Sequence, residues 1–378
     1  MKTSFHGVAR VAAVVSAGIT AAAISAGAAS AAPSVSDFYK LGGMRLVVAG
    51  GAGGGYDTYS RMFARYYAKH VPGKPSIVVQ NMPGASGLTA TNWLYNKAPR
   101  DGSRILATYN SLLDSNVLGE PKARFDVKKF NWLGSIARSQ LLCVTWHTNA
   151  KKDIRQLVGH PMTVSSTGRT GNSATLPLIL NQVMGTKFKV IMGYSTSGSR
   201  LALERGEVDG ICGLGLSTMR ASNPAWFSDK KVNIVAQVGL TSLDELKGVP
   251  NVLDLVTGDK RAVVEYQAIL QTIGRPYVAP PDVPADRLAA LRSGFDATVA
   301  DPAFIVTMKK LGLAVSPLNS METDKLIDRL YGYSPDTLKQ VAAILGTAKK
   351  EKVERCDKFS KDVKQCRKKK KKKKKKKE

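Results

Sequence analysis

The sequence predicts an α/β fold with parallel-rich sheets flanked by helices. Three observations carry that prediction. Short runs of β-branched and aliphatic residues alternate with helical patterns through the body of the chain, the rhythm of strands joined by helical crossovers. One of these runs, Leu46 to Ala49, passes straight into the glycines Gly50–Gly55 and then a helical pattern, a strand–turn–helix unit. The chain of 378 residues is also long enough for two domains of ordinary size.

Taken in order, the chain opens with Lys2 and Arg10, an apolar or small-residue run from Val11 to Ala28, and Ala29-Ser30-Ala31. That is the layout of an export signal, with cleavage expected after Ala31. The strand Leu46–Ala49 then leads into the glycine turn, and a helix is expected over Thr58–His70. Glycines between a strand and a helix start leave backbone N–H groups free, and the helix dipole favours an anion there. Gly53, Gly54, Gly55, Tyr56 and Asp57 are therefore the first candidate ligand residues. Asp57 has a second reading as the cap of the helix that follows. Nucleotide chemistry does not fit. The third glycine of a dinucleotide fingerprint is replaced by Tyr56, and no Gly-Lys-Ser/Thr follows for a P-loop.

Further strands are expected at Ser76–Gln80, Arg104–Tyr109, Leu141–Trp146, Met162–Ser165, Lys189–Met192, Gly210–Gly213 and Asn233–Val238. Helices are expected at Gly87–Lys97, Ala174–Met184, Ser199–Arg205, Ala285–Ala300, Pro302–Leu311 and Thr323–Gly332. Leu288, Leu291 and Phe295 keep helical spacing, and Asp301-Pro302 sets an N-cap before a proline. Ligands of α/β folds gather at the carboxyl ends of strands. Asn110 and Ser111 follow one strand, and Tyr194 and Ser195 follow another. Between Met162–Ser165 and the Ala174 helix lies a hydroxyl- and glycine-rich loop: Ser166, Thr167, Gly168, Arg169, Thr170, Gly171, Asn172 and Ser173. Its hydroxyls and N–H groups suit an anion. Arg169 and Asp209 read better as a solvent-facing arginine and a turn aspartate.

Composition narrows the function. The net charge is +27, and residues 349–378, with 18 Lys/Arg against 5 Asp/Glu, supply +13 of it. That tail ends in ten lysines, Lys368 to Lys377, and is expected to be disordered, an arm for anionic lipid or cell-wall polymer or else inert. A single aromatic, Phe359, stands among its charges, too few to stack on bases, so nucleic acid is not expected as a partner. The remaining body is still basic, which suits anionic solutes. Four cysteines do not make a disulfide scaffold. Cys356–Cys366 is one possible pair, while Cys143 and Cys212 sit in apolar stretches and read as small buried residues. The four histidines are scattered and none falls in a candidate loop. No catalytic residues, metal or cofactor are expected.

Several segments together resemble the solute-binding proteins of tripartite tricarboxylate transporters, the Bug family. They are Gly53-Gly54-Gly55-Tyr56-Asp57, Val78 to Gly87 (VVQNMPGASG), Ala98-Pro99-Arg100-Asp101-Gly102, Glu204 to Asp209, Val249-Pro250-Asn251-Val252, and Pro284 to Leu313, in the family's order from about residue 44 to about 346. The resemblance implies a type II-like two-domain solute-binding-protein fold with the ligand in a cleft between lobes. The first lobe would comprise residues 32–140 and 268–348 and the second 141–267, with crossovers near Leu141 and Ala268. It implies a periplasmic monomer that captures a small carboxylate through the first loop of each lobe and hands it to integral-membrane permease subunits. A ligand sensor for a membrane kinase and, more remotely, an enzyme acting on a small acid are the alternatives. The chain departs from the family where Gly193-Tyr194-Ser195-Thr196 replaces the usual Tyr-Lys-Gly-Gly, in the long Ser166–Ser173 stretch, and in the basic tail.

Overall fold

The computed structural model describes residues 33–167 and 171–350, with the backbone of residues 354 and 355. The expected export signal, Gly168, Arg169, Thr170, Cys356, Cys366 and nearly all of the basic tail lie outside the described residues.

Two six-stranded sheets organise the chain. The strands are β1 (Met44–Val48), β2 (Ile77–Asn81), β3 (Arg104–Ala107), β4 (Asn131–Ser135), β5 (Leu141–Trp146), β6 (Pro161–Ser166), β7 (Lys187–Met192), β8 (Gly210–Gly215), β9 (Val232–Val238), β10 (Pro276–Ala279), β11 (Leu318–Asn319) and β12 (Glu354–Arg355). The helices are α1 (Val35–Gly42), α2 (Gly55–His70), α3 (Leu88–Asn96), α4 (Asn172–Met184), α5 (Thr196–Glu204), α6 (Leu216–Ser222), α7 (Pro224–Ser228), α8 (Val252–Leu255), α9 (Gly258–Thr272), α10 (Ala285–Ala300), α11 (Pro302–Lys310), α12 (Ser320–Tyr331) and α13 (Pro335–Lys350). The first sheet has the order β11-β4-β10-β3-β1-β2 and the second β12-β7-β6-β8-β5-β9.

Both sheets are mixed, where the sequence reading stressed parallel pairing. The helically connected strands are parallel: β1 with β2 and β3, and β6 with β7 and β8. The strands that carry the chain between sheets, β4 to β5 and β9 to β10, run antiparallel to their neighbours. The registers explain why this matters. Ala107 at the end of β3 faces Tyr277 at the start of β10, and Gly215 at the end of β8 faces Leu141 at the start of β5. The carboxyl ends of the parallel strands in both sheets therefore lie on the side of the crossover segments.

The crossovers are joined to one another. Ile136 N–H donates to the Arg275 carbonyl at 3.0 Å and Ser139 N–H to that of Gln271 at 3.0 Å. The Arg275 N–H donates to Ser135 Oγ at 3.0 Å. Gly274 is pressed so close that a Cβ there would stand 2.7 Å from the Ala137 carbonyl oxygen.

Apolar burial on each sheet follows the strand pattern. Beneath α2, α10 and α11, the first sheet packs Tyr39, Phe63, Tyr67, Tyr277, Phe295 and Phe304. The second sheet buries Leu142, Val144, Ile191, Leu203 and Trp226 on the side of α5 and α7. A larger cluster runs from Leu94, Leu106 and Trp132 through Cys143, Val164 and Ile179 to Ile269. Among the described residues no helix is long and apolar enough to cross a membrane.

Cys143 and Cys212 are buried as expected but are not simple apolar fillers. They face each other on antiparallel β5 and β8 and form a disulfide. The strand run hid this, because the pairing depends on a register across 69 residues. Closing a loop of that size stabilises by about 4 kcal/mol in the chain-entropy description. The double variant Cys143→Ala/Cys212→Ala is expected to lose roughly that amount in urea unfolding. Wild-type protein unfolded with a reductant should lose the same, and a reductant-insensitive midpoint would show that the bond does not form.

Candidate functional site

The first candidate loop is built by side chains that bind its backbone. Helix α2 begins at Gly55, three residues before the expected Thr58, and its N-cap, Gly54, has no side-chain hydrogen bond. Asp57 explains the early start. One of its carboxylate oxygens accepts from the Gly53 N–H at 2.8 Å and from Arg61 Nε at 3.0 Å. The other accepts from Asn81 Nδ2 at 2.9 Å, an amide that also donates to the Gly50 carbonyl at 2.9 Å. This is half of a capping box, displaced by one residue: the acid in the first turn reaches back to the Gly53 N–H, and the N-cap, Gly54, has no side chain to return the bond. Asp57 is only 3% exposed. Burial pushes its pKa up, but the hydrogen bonds from Arg61, Gly53 and Asn81, with the Arg61 charge, outweigh that and hold it below the ordinary aspartate value. Its negative charge is thus engaged inside the loop, and Gly51 to Gly55 are left exposed around the uncapped helix start.

Tyr56 ties this loop to the crossovers. Its hydroxyl donates to the Gly274 carbonyl at 2.9 Å and accepts from the Asn110 N–H at 3.3 Å. Its ring meets that of Tyr109 edge-on, at 4.6 Å. Burial, with Tyr56 beside it, pushes the Tyr109 pKa up, so the phenol stays neutral.

The second candidate loop lies at the end of β6. Ser166 and Ser173 are both buried, and their hydroxyls meet at 3.1 Å. Ser173 Oγ also accepts from the Thr167 N–H at 3.3 Å. Helix α4 starts at Asn172 with Gly171 as N-cap, again without a side-chain cap. The second loop and the turn after β3 share a partner in α9. Asn172 Nδ2 donates to Gln271 Oε1 at 3.1 Å, and Gln267 Nε2 donates to Asn172 Oδ1 at 3.2 Å. From the first sheet, Asn110 Nδ2 donates to the Leu270 carbonyl at 2.9 Å and approaches Gln271 Oε1 at 3.5 Å.

The structure thus brings together Gly53, Gly54, Gly55, Tyr56, Asp57 and Asn110 on one side and Ser166, Thr167, Asn172 and Ser173 on the other, with α9 between Asn110 and Asn172. Ser111 is exposed in the single 3₁₀ turn Asn110–Leu112. Tyr194 is 7% exposed and packs in the cluster of Leu142, Ile191 and Leu203, its N–H donates to the Ser166 carbonyl at 3.3 Å, and its hydroxyl has no partner among the described residues. Ser195 caps α5, accepting from the Gly198 N–H at 2.9 Å. Asp209 is a turn residue that accepts from the N–H and hydroxyl of Thr163, each at 2.7 Å.

Sequence reasoning missed Gln267, Gln271, Asn81 and Arg275. Asn81 stood inside a quoted motif and was a legible signal. The glutamines lie on α9 and the arginine on the short segment between α9 and β10, with no local signature. Among the described residues, no group of three or more His, Cys, Asp or Glu side chains is placed to hold a metal ion.

No family model matches the sequence, and no curated protein matches it. Solved structures do match. A TctC solute-binding protein from Polaromonas, without ligand, aligns at a TM-score of 0.63 and 16% identity, over 79% of this chain and 98% of that one. An R. palustris protein solved with adipate aligns at 0.56 and 16%, over 80% and 97%. MatC from Rhodopseudomonas palustris, with bound malate, aligns at 0.53 and 18%, over 80% and 98%. The chain has the two-sheet α/β fold of these binding proteins.

Proposed function

We propose that this chain is a periplasmic solute-binding protein of the tripartite tricarboxylate transporter type, which captures a small organic acid and passes it to membrane permease subunits. One observation carries the reading. Two helices, α2 and α4, start without side-chain caps at the carboxyl ends of parallel strands in two different sheets, and both sets of strand ends face the crossovers. Uncapped N–H groups and aligned peptide dipoles favour a carboxylate at each start. The resemblance in Gly53–Asp57 and Val78–Gly87, and the fold shared with proteins solved with adipate and malate, support the same class of ligand.

In this reading residues 32–140 and 268–348 make one lobe and 141–267 the other, and the protein works as an exported monomer. Closure about the crossovers would be driven by contacts that both lobes make only with ligand present. Binding needs no nucleophile or base, so we assign no enzymatic activity. Thermal unfolding against a panel of small carboxylates, with matched amides and sugars as controls, tests this. A carboxylate at a hundred times its Kd is expected to add about 2.7 kcal/mol, a rise of a few degrees. Folded, ligand-free protein that shifts with none of the acids would rule the reading out.

A further inference from the structure

Arg275 is the cation that the sequence reading lacked. It sits on the short segment between α9 and β10, with its backbone clamped on both sides to the other crossover: its N–H donates to Ser135 Oγ and its carbonyl accepts from Ile136. Its side chain is half-buried. The guanidinium carbon lies 4.3 Å from the centre of the Tyr56 ring and 5.1 Å from that of Tyr59. One terminal nitrogen stands 3.5 Å from the position a Cβ on Gly55 would take, which puts the charge beside the first residue of α2.

No carboxylate of the described residues pairs with it. Asp57, the acid nearest in sequence on α2, is occupied by Gly53, Arg61 and Asn81. The groups packed around Arg275 are the phenols of Tyr56, Tyr59 and Tyr277, which burial keeps neutral at Tyr59 and Tyr277. Aromatic faces hold a guanidinium in place without neutralising it. Side-chain hydrogen bonding to Tyr56 and Tyr59 adds only neutral partners, so the charge of the guanidinium is left for an anionic carboxylate to meet.

Building on the carboxylate reading above, we propose that Arg275 is the specificity-determining residue that makes this site select an anionic carboxylate over its neutral analogues. Because the residue belongs to a crossover, the ligand it grips is tied directly to the segment about which the lobes would move.

The test uses the full chain, with malate, adipate and benzoate as probes, each beside its amide. The acid that binds wild type most tightly is measured by calorimetry, at low and high salt. Arg275→Gln is expected to lose roughly ten- to a hundredfold in affinity for that acid while its weak amide binding hardly changes, so the acid/amide ratio collapses and the salt dependence flattens. Arg275→Lys keeps the charge without the planar fork and should recover only part of the ratio. A merely structural arginine would lower the melting temperature and weaken acid and amide alike. An unchanged acid/amide ratio in either variant overturns the proposal and leaves the carboxylate reading standing. Wild type that binds none of the three acids overturns both. If Arg275→Gln does not fold, the lysine variant and the salt dependence decide alone.

Discussion

Gly213→Ala is expected to unseat the second candidate loop and to weaken solute binding by an order of magnitude or more. Gly213 sits at an irregular step of β8, where the register with β5 shifts between Leu142 and Cys143, and its φ is +83°. A Cβ there would stand 2.2 Å from the carbonyl oxygen of Asn172, 2.5 Å from its carbon and 2.9 Å from the nitrogen of Ser173. All three are backbone atoms at the start of α4, so no side-chain rotation relieves the clash. The first turn of α4 has to move. Left-handed strain and forced overpacking together cost about 3 kcal/mol or more.

The displacement acts on function because Asn172 carries the bonds to Gln267 and Gln271, and Ser173 those to Ser166 and Thr167. Gly248→Ala is the matched control. Its φ is +89°, but nothing lies within 4 Å of the added Cβ, so it isolates the backbone term. Urea unfolding and calorimetry on both variants read the outcome. If Gly213→Ala is no less stable than Gly248→Ala and binds solute as wild type does, the proposed seating of the loop is wrong.

That seat could not be read from the sequence, and the reason is general to this chain. What depends on a run of neighbours was legible. Leu46–Ala49, Leu141–Trp146 and Ala285–Ala300 declared themselves by apolar periodicity, and each is a strand or helix in the structure. The glycine turn and the hydroxyl-rich loop declared themselves by composition. What depends on chain crossing was not legible. β4 and β10 escaped because their runs are short and broken by Gly134 or bounded by Pro276 and Pro280, and they are strands because each pairs with the other and with β11 or β3. Arg275 is an ordinary residue in sequence, and only the crossover lays it on Tyr56 and Tyr59. Tyr194 follows a strand, as the sequence shows, but its burial among Leu142, Ile191 and Leu203 depends on how the turn folds, which no local signal carries.

Asp57→Ala should do to the first loop what Gly213→Ala does to the second, by loosening it. The buried carboxylate is the common acceptor for Gly53, Arg61 and Asn81. Arg61 is 47% exposed and can turn to water, so the loss falls chiefly on the Gly53 N–H and the Asn81 amide. Charge-assisted bonds of this kind contribute about 1.5–3 kcal/mol each, less what solvent recovers, so a destabilisation of about 2–4 kcal/mol is expected. Solute affinity should fall as well, since a chain of glycines freed from its anchor has to be ordered again by the ligand.

The pH dependence identifies the carboxylate as the cause. Its pKa is lowered in the folded state, so its contribution is fully present above the unfolded aspartate value of about 3.9 and is lost as pH falls through the lower folded value. The stability difference between wild type and Asp57→Asn should therefore stay level from pH 7 to about pH 5 and narrow below about pH 4. A difference that narrows near neutrality, or holds constant into strong acid, would mean that some other group stabilises the glycine turn.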